Sequence, residues 1–288
     1  MSRLPSFSIV IPTYRRPERL DACLRALAEL DYPRDRFEVI VVDDGSGAPP
    51  TPQTASLDVT VLTQTHAGPA AARNMGAARA RGEYLAFTDD DCMPEAGWLR
   101  ALAVEAAAGA DHVLGGRTVN ALADNPYSSA TQLLLDFIYE WHAARGGAGF
   151  FASNNLAVPA ALFRARGGFD VGFPLAAGED RELCERLRRG GGRLVYVPDA
   201  VVRHGHPLTL ARYWRQHANY GRGALRVHRL RASAGAERGA GTPLSFYARL
   251  VAFPLSRARG TRRLTLTALF ALSQVATATG YWRERLRV

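Results

Sequence analysis

Apolar and polar positions fall into blocks whose lengths define a succession of strands and helices. Residues 8–11 (SIVI) and 38–42 (EVIVV) are short, nearly continuous runs rich in β-branched residues. Such runs predict strands buried on both faces, as in a parallel sheet. Between them, residues 17–30 carry Leu20, Leu24 and Leu27 at helical spacing behind Pro17, the pattern of an amphipathic helix with proline in its first turn. The alternation continues. Residues 59–62 predict a third strand, 68–80 a helix of small residues able to pack close to a sheet, and 84–87 another buried strand. Further strands are predicted at 112–119, 193–197 and 201–204, and helices from Pro94, over 131–142, from Pro159 and from Glu179. Strands alternating with helices imply an α/β fold.

From residue 207 the pattern changes. Residues 208–223 predict a helix with Arg212, Arg215 and Arg222 on one side, and 232–242 form a Gly/Ala-rich linker. A second Pro- and Thr-rich loop is expected at 48–55. Residues 264–282 are apolar and uncharged, flanked by Arg262 and Arg263 on one side and Arg283, Arg285 and Arg287 on the other. Nineteen residues just reach the length of a membrane span, but four threonines and Gln274 lie among them. That content argues for a helix on a membrane surface or packed on the main domain, and we expect the surface. The chain then divides into residues 1–206, an α/β domain, and 207–288, a basic helical region.

The 288 residues, 47% of them hydrophobic, suffice for one large α/β domain with an appendage. Cys23, Cys92 and Cys184 lie far apart with no CxxC spacing, which argues against disulfides and a thiolate metal site and fits a reducing cytosol. The first apolar run is too short for a secretory signal. Net charge is +9, but residues 201–288 hold sixteen arginines against Glu237 and Glu284, leaving +14 there and −5 in the remainder. No nucleic-acid motif or aromatic interleaving accompanies this charge, so an anionic membrane surface is the expected partner.

Candidate chemistry gathers where strands end. Residues 84–87 break into Asp89, Asp90 and Asp91. In an open α/β sheet, ligands bind beyond the carboxyl ends of the strands, and three like charges there call for a cation or a polar ligand. Asp89 and Asp91, spaced as D-x-D, suit Mg²⁺ or Mn²⁺; the alternative is a helix N-cap with solvated neighbours. Pro12, Thr13, Tyr14, Arg15 and Arg16 occupy the loop after the first strand, where a base or phosphate can sit. Asp43 and Asp44, before Gly45 and Ser46, can accept from a base N–H or a ribose hydroxyl, or form an ordinary turn. Arg73, beside Asn74, can reach a nucleotide or lie solvated, and Asn154 and Asn155 can bind sugar hydroxyls or satisfy a turn. Glu179 and Asp180 open a helix, where its dipole alone stabilises acids. His204 and His206 share a strand face, and Trp98 is read as core.

The order and spacing of FSIVIPTYRRPERL, EVIVVDDGS, TDDDC and AAGEDRELCERLRR resemble the family-2 glycosyltransferases over about residues 6–206. The resemblance implies a GT-A-like, mostly parallel sheet flanked by helices, with the basic helical region as a C-terminal extension. It implies a nucleoside diphosphate sugar donor framed by Pro12, Thr13, Tyr14 and Arg16, with Asp44 on the base and Arg73 also in the donor site. Asp89 and Asp90 then lie near ribose and sugar. Asp91 is the direct ligand of Mn²⁺ or Mg²⁺, with Asp89 and His204 beside it. Asp180 is the base and Glu179 orients it or the acceptor. The implied reaction is inverting transfer to a hydroxyl acceptor, lipid-linked or part of a cell-surface glycan, by a cytoplasmic enzyme peripheral on the inner face of the membrane. A sugar-nucleotide nucleotidyltransferase is the competing enzyme, but the chain has no Gly-rich N-terminal phosphate loop and no lysine. The non-enzymatic alternative is an inactive, membrane-attached nucleotide-sugar-binding module, which would have no need of Asp180.

Overall fold

In the computed structural model, residues 4–50, 57–173, 175–233 and 243–287 are described. The loop expected at 48–55 and the linker expected at 232–242 lie in large part outside them. The elements run β1 (Phe7–Thr13), α1 (Pro17–Ala28), β2 (Phe37–Asp43), β3 (Val59–Thr63), α2 (Pro69–Arg79), β4 (Tyr84–Phe87), β5 (Cys92–Pro94), α3 (Trp98–Ala108), β6 (His112–Asn120) and α4 (Pro126–Ala143). They continue with β7 (Leu156–Pro159), α5 (Ala160–Ala165), α6 (Glu179–Arg189), β8 (Arg193–His204), α7 (Leu210–Ser233), α8 (Leu244–Arg257) and α9 (Gly260–Leu286).

Two compact units result: residues 1–119 with 146–205, and residues 120–145 with 206–288. The helical unit therefore takes in α4 as well as the chain beyond residue 206. In the first unit the strand order is β3-β2-β1-β4-β7-β6-β8-β5. The half from β3 to β4 is parallel, with Phe7 opposite both Phe37 and Tyr84, and Val39 opposite Val59. The other half is antiparallel, with Tyr84 opposite Pro159 and Cys92 opposite His204. This is the mixed, mostly parallel GT-A-like sheet flanked by helices.

The parallel half follows from its sequence. Ile9, Val10, Ile11, Val39, Val41 and Val42 are wholly buried, so both faces of β1 and β2 are covered and their apolar runs are nearly continuous. On one face α2 lies close to the sheet: a Cβ on Gly76 would stand 2.5 Å from the Val10 side chain. On the other, Leu20, Leu24 and Leu27 of α1 join the main core. Because Thr13 lies opposite Asp43, the carboxyl ends of β1 and β2 stop level, and β4 ends at the same edge.

Two expected elements differ: the strands expected at 193–197 and 201–204 are one continuous strand, β8, and the helix expected from Pro94 is displaced. No helix starts at Pro94; residues 92–94 form β5, and α3 starts at Trp98. Pairing with β8 keeps this stretch extended, and the Glu95 N–H donates to the Val201 carbonyl at 3.0 Å. Asp91 therefore does not cap that helix.

In the second unit, α4, α8 and α9 enclose a core of Phe137, Trp141, Tyr213, Leu250, Leu266, Leu269 and Phe270, with α7. The apolar stretch 264–282 thus buries one face of α9 against protein. No helix among the described residues is long and apolar enough to cross a membrane.

Candidate active site

The strand ends of the first unit bring most of the named acids together. Thr13, the last residue of β1, donates its hydroxyl to Asp90 at 2.8 Å, and its carbonyl accepts from the Asp44 N–H at 2.9 Å. Arg16 donates to Asp90 at 3.2 Å and lies 3.5 Å from Asp91. Arg19, in the first turn of α1, donates to Asp91 at 3.1 Å. Burial, with Asp91 beside it, pushes the Asp90 carboxyl up to about 6.

His204 faces Asp91 because Cys92 and His204 are opposite one another in the β5/β8 pair. Its Nε2 lies 3.2 Å from Asp91 Oδ1. Burial works against the charged imidazole, but the hydrogen bond and charge of Asp91 outweigh it, and the pKa lies above the ordinary histidine value. Asp91, Cys92 and His204 each offer a ligand atom within 4.8 Å of the others. Cys92 is wholly buried in the hydrophobic core, its thiol held well above its ordinary range by burial. A carboxylate oxygen and an imidazole nitrogen 3.2 Å apart match adjacent positions around an octahedral ion with bonds of about 2.1 Å. The donor set therefore fits Mn²⁺ or Mg²⁺ through Asp91 and His204.

Arg73 ties this edge to the start of α6. It is 2% exposed and donates to Asp89 at 2.7 Å and to Glu179 at 3.2 Å. Its guanidinium carbon stands 5.4 Å from the centre of the Phe169 ring. The solvated reading does not describe this side chain, which two protein carboxylates neutralise. Asp89 is correspondingly engaged through one oxygen. Burial, then the charge of Asp180, raises Glu179 to about 7. Asp180 accepts from the N–H groups of Arg181, at 2.7 Å, and Ser153; burial raises its pKa too. Among the described residues, Arg73 Nε and Glu179 Oε2 are buried with no hydrogen-bond partner, so the cluster keeps one donor and one acceptor in reserve.

Asp44 is held by the loop that follows β3. Its Oδ1 accepts from Gln64 Nε2 at 2.7 Å and the Ala67 N–H at 2.8 Å, and its Oδ2 from the Gly68 N–H at 2.9 Å, with His66 Nδ1 also at 2.9 Å. It organises the loop before α2 with every strong acceptor position filled. Asp43 accepts from the Ser46 N–H and hydroxyl, which is the turn reading of DDGS. Gly45 is required there: at φ +85° its Cβ would stand 2.9 Å from the His66 nitrogen. Tyr14 stacks on His66 at 4.3 Å, and Arg15 holds a positive φ of 55° while its N–H donates to Ser46 at 2.8 Å. A flat aromatic pair and a strained loop thus flank the end of β1.

Other candidates prove architectural. Asn155 accepts from the indole N–H of the wholly buried Trp98 at 2.9 Å and donates to the Ala200 and Arg117 carbonyls. Asn154 accepts from Thr118 at 3.3 Å. His206 belongs to the second unit, where it meets Gln216 at 3.2 Å. Arg19, Gln64 and His66 were not singled out in the sequence. Arg19 had a readable signal, lying three residues after Arg16 on the first turn of a helix that starts at this edge.

Residues 8–166 match the family described as glycosyl transferase family 2. The chain belongs to that family. Among curated relatives, it is 31% identical over 223 residues to the pre-mycofactocin glycosyltransferase of Mycobacterium tuberculosis, covering 74% of this chain and 46% of the relative. The chain spans about half the length of the curated relatives it matches. Among solved structures, the mannosyltransferase PcManGT from Pyrobaculum calidifontis, in complex with GDP-Man and Mn²⁺, aligns with a TM-score of 0.65 at 19% identity, over 98% of this chain and 89% of that one. TarS 1–349 of S. aureus in complex with UDP-GlcNAc aligns with a TM-score of 0.52 at 19% identity, over 98% and 91%. At these identities the likeness is one of fold.

Proposed function

We propose that the chain is an inverting glycosyltransferase that moves a sugar from a nucleoside diphosphate donor to a hydroxyl acceptor. The observation that carries the reading is the bridge made by the buried Arg73, which joins Asp89 after β4 to Glu179 at the start of α6. In support, PcManGT holds GDP-Man and TarS holds UDP-GlcNAc on the same fold.

Asp180 is the base. It accepts the proton of the acceptor hydroxyl as that oxygen bonds to the anomeric carbon, and the bond from that carbon to the diphosphate breaks with its electrons leaving on the phosphate oxygen. Its raised pKa suits this task, since a carboxylate nearer neutrality is a stronger base. Glu179, held by Arg73, fixes the neighbouring position. Arg16 and Arg19, paired with Asp91, compensate the departing negative charge. Mn²⁺ or Mg²⁺ bound by Asp91 and His204 would add Lewis-acid neutralisation of the diphosphate. Thr13 and Asp90 shape the donor side, and Pro12, Tyr14 and the loop organised by Asp44 frame the nucleotide.

We place the acceptor on a lipid, with the enzyme peripheral on the inner face of the cell membrane. The support is the arginine excess of residues 201–288 together with exposed Leu244, Leu264, Trp282 and Leu286 on the second unit. A thermal-shift titration with nucleoside diphosphates and their sugars tests the catalytic reading. The melting temperature should rise only when Mn²⁺ is also present, by the equivalent of about 2.7 kcal/mol at a hundredfold excess over Kd. Absence of a shift with every nucleotide would overturn it.

A further inference from the structure

The second unit contains a cavity of about 220 Å³ at the contact of α7 with α9. Small-molecule pockets run from roughly 300 Å³ upward, so this one suits a headgroup. Its walls are charged. Arg215 and Arg222 come from α7, Arg283 and Arg287 from α9, and Glu284 is the one carboxylate among them. Trp214 and Asn219 add an indole and an amide, both able to donate hydrogen bonds.

The arrangement is built into both helices. Residues 215, 219 and 222 lie on one face of α7, and 280, 283, 284 and 287 on one face of α9. The backbones meet closely at the floor: a Cβ on Gly280 would lie 1.8 Å from the Ala218 carbonyl oxygen, and one on Gly221 1.9 Å from that of Thr277. Glu284 binds Arg222 at 2.9 Å and lies 3.9 Å from Arg287, which steadies those two guanidinium groups. Arg215 and Arg283 pair with no carboxylate among the described residues. Four guanidinium groups against one carboxylate leave a concentrated positive field that a phosphate group would neutralise.

The adjoining face of α9 points to the carrier of that phosphate. Trp282 and Leu286, one turn apart, are 54% and 82% exposed, and Arg285 lies over the indole at 5.0 Å. An exposed tryptophan and leucine beside arginines form the pattern of a helix end seated at a lipid interface. We propose that this cavity binds the phosphate headgroup of an anionic membrane lipid, with Trp282 and Leu286 entering the acyl boundary. The site deepens the membrane reading of the second unit and makes no use of the transfer chemistry.

The test is vesicle flotation of the full chain at fixed salt, using phosphatidylcholine with and without phosphatidic acid. Wild-type protein should float with phosphatidic acid vesicles, and inorganic pyrophosphate should compete. The double variant Arg215→Gln/Arg283→Gln should lose affinity about tenfold more than the control Arg212→Gln/Arg229→Gln, which removes equal charge from exposed positions of α7 outside the cavity. Equal loss in both variants would assign the attraction to net charge and overturn the site. Pyrophosphate binding without flotation would overturn the lipid as its source. The Mn²⁺-dependent nucleotide shift, measured on the same samples, reports on the first unit alone, so failure there is distinguishable from failure here.

Discussion

Asn74 holds Phe169 with both ends of its amide: Nδ2 donates to the Phe169 carbonyl at 2.8 Å, and Oδ1 accepts from the Phe169 N–H at 2.8 Å. The ring so placed lies against Arg73, whose guanidinium holds Asp89 and Glu179. Gly168, at φ +69°, passes so close that a Cβ would stand 2.5 Å from Asn74 Oδ1. Asn74→Ala leaves two backbone groups unsatisfied. It should lower stability by about 1–3 kcal/mol, read as a reduced midpoint in urea with unchanged slope.

Asp180→Asn keeps shape and hydrogen bonding but removes the basic oxygen. Release of nucleoside diphosphate from a donor sugar should fall about 10²–10⁴-fold, while the Mn²⁺-dependent thermal shift with nucleotide persists. Retained turnover would remove Asp180 from the chemistry.

Asp91→Asn should abolish that Mn²⁺-dependent thermal shift. The metal needs the neutral imidazole of His204, whose pKa in the metal-free protein is raised by Asp91. Protons therefore compete with the ion, and Mn²⁺ affinity should increase as pH rises through the His204 pKa. Calorimetric titration at several pH values measures it.

His217 is wholly buried, packed between Tyr213 and Tyr220, and neither ring nitrogen has a hydrogen-bond partner among the described residues. Burial lowers its pKa to about 4. Below the ordinary histidine pKa of about 6.5 the unfolded chain takes a proton that the folded one refuses, so stability falls as pH drops from there to about 4. The loss from this group is on the order of 3 kcal/mol. His217→Leu should flatten that limb of the stability profile; parallel wild-type and variant curves from urea unfolding between pH 4 and 7 would contradict it.

Gly280→Ala places a methyl against the Ala218 carbonyl and forces α7 and α9 apart. A cost of about 1–3 kcal/mol is expected, visible as a lower thermal midpoint.

How far the sequence could be read depended on where each element finds its partners. Strands β1, β2 and β4 are buried on both faces, so continuous apolar runs betray them. β5 and β7 are three and four residues long and exist through antiparallel pairing with distant segments, which no local pattern records. Helix α8 went unread because it follows the Gly/Ala-rich stretch and carries Pro254 inside it. In the site, the acids were legible because strand ends and helix starts are marked in the chain. Their partners were not: Arg73 meets Asp89, Phe169 and Glu179 from segments distant in the chain, and Asp44 is filled by Gln64, His66 and backbone N–H groups of a loop without periodicity. The apolar run at 264–282 shows the same limit, since composition records that a face is greasy and leaves unsaid what covers it.

Arg73 touches acids that stand ninety residues apart, Asp89 and Glu179. A single cation thereby couples the strand end after β4 energetically to the start of α6. Substitutions on either side should show strong epistasis, because removing one carboxylate re-aims the guanidinium that orients the other. Drift or redesign in this protein would have to change those segments in concert.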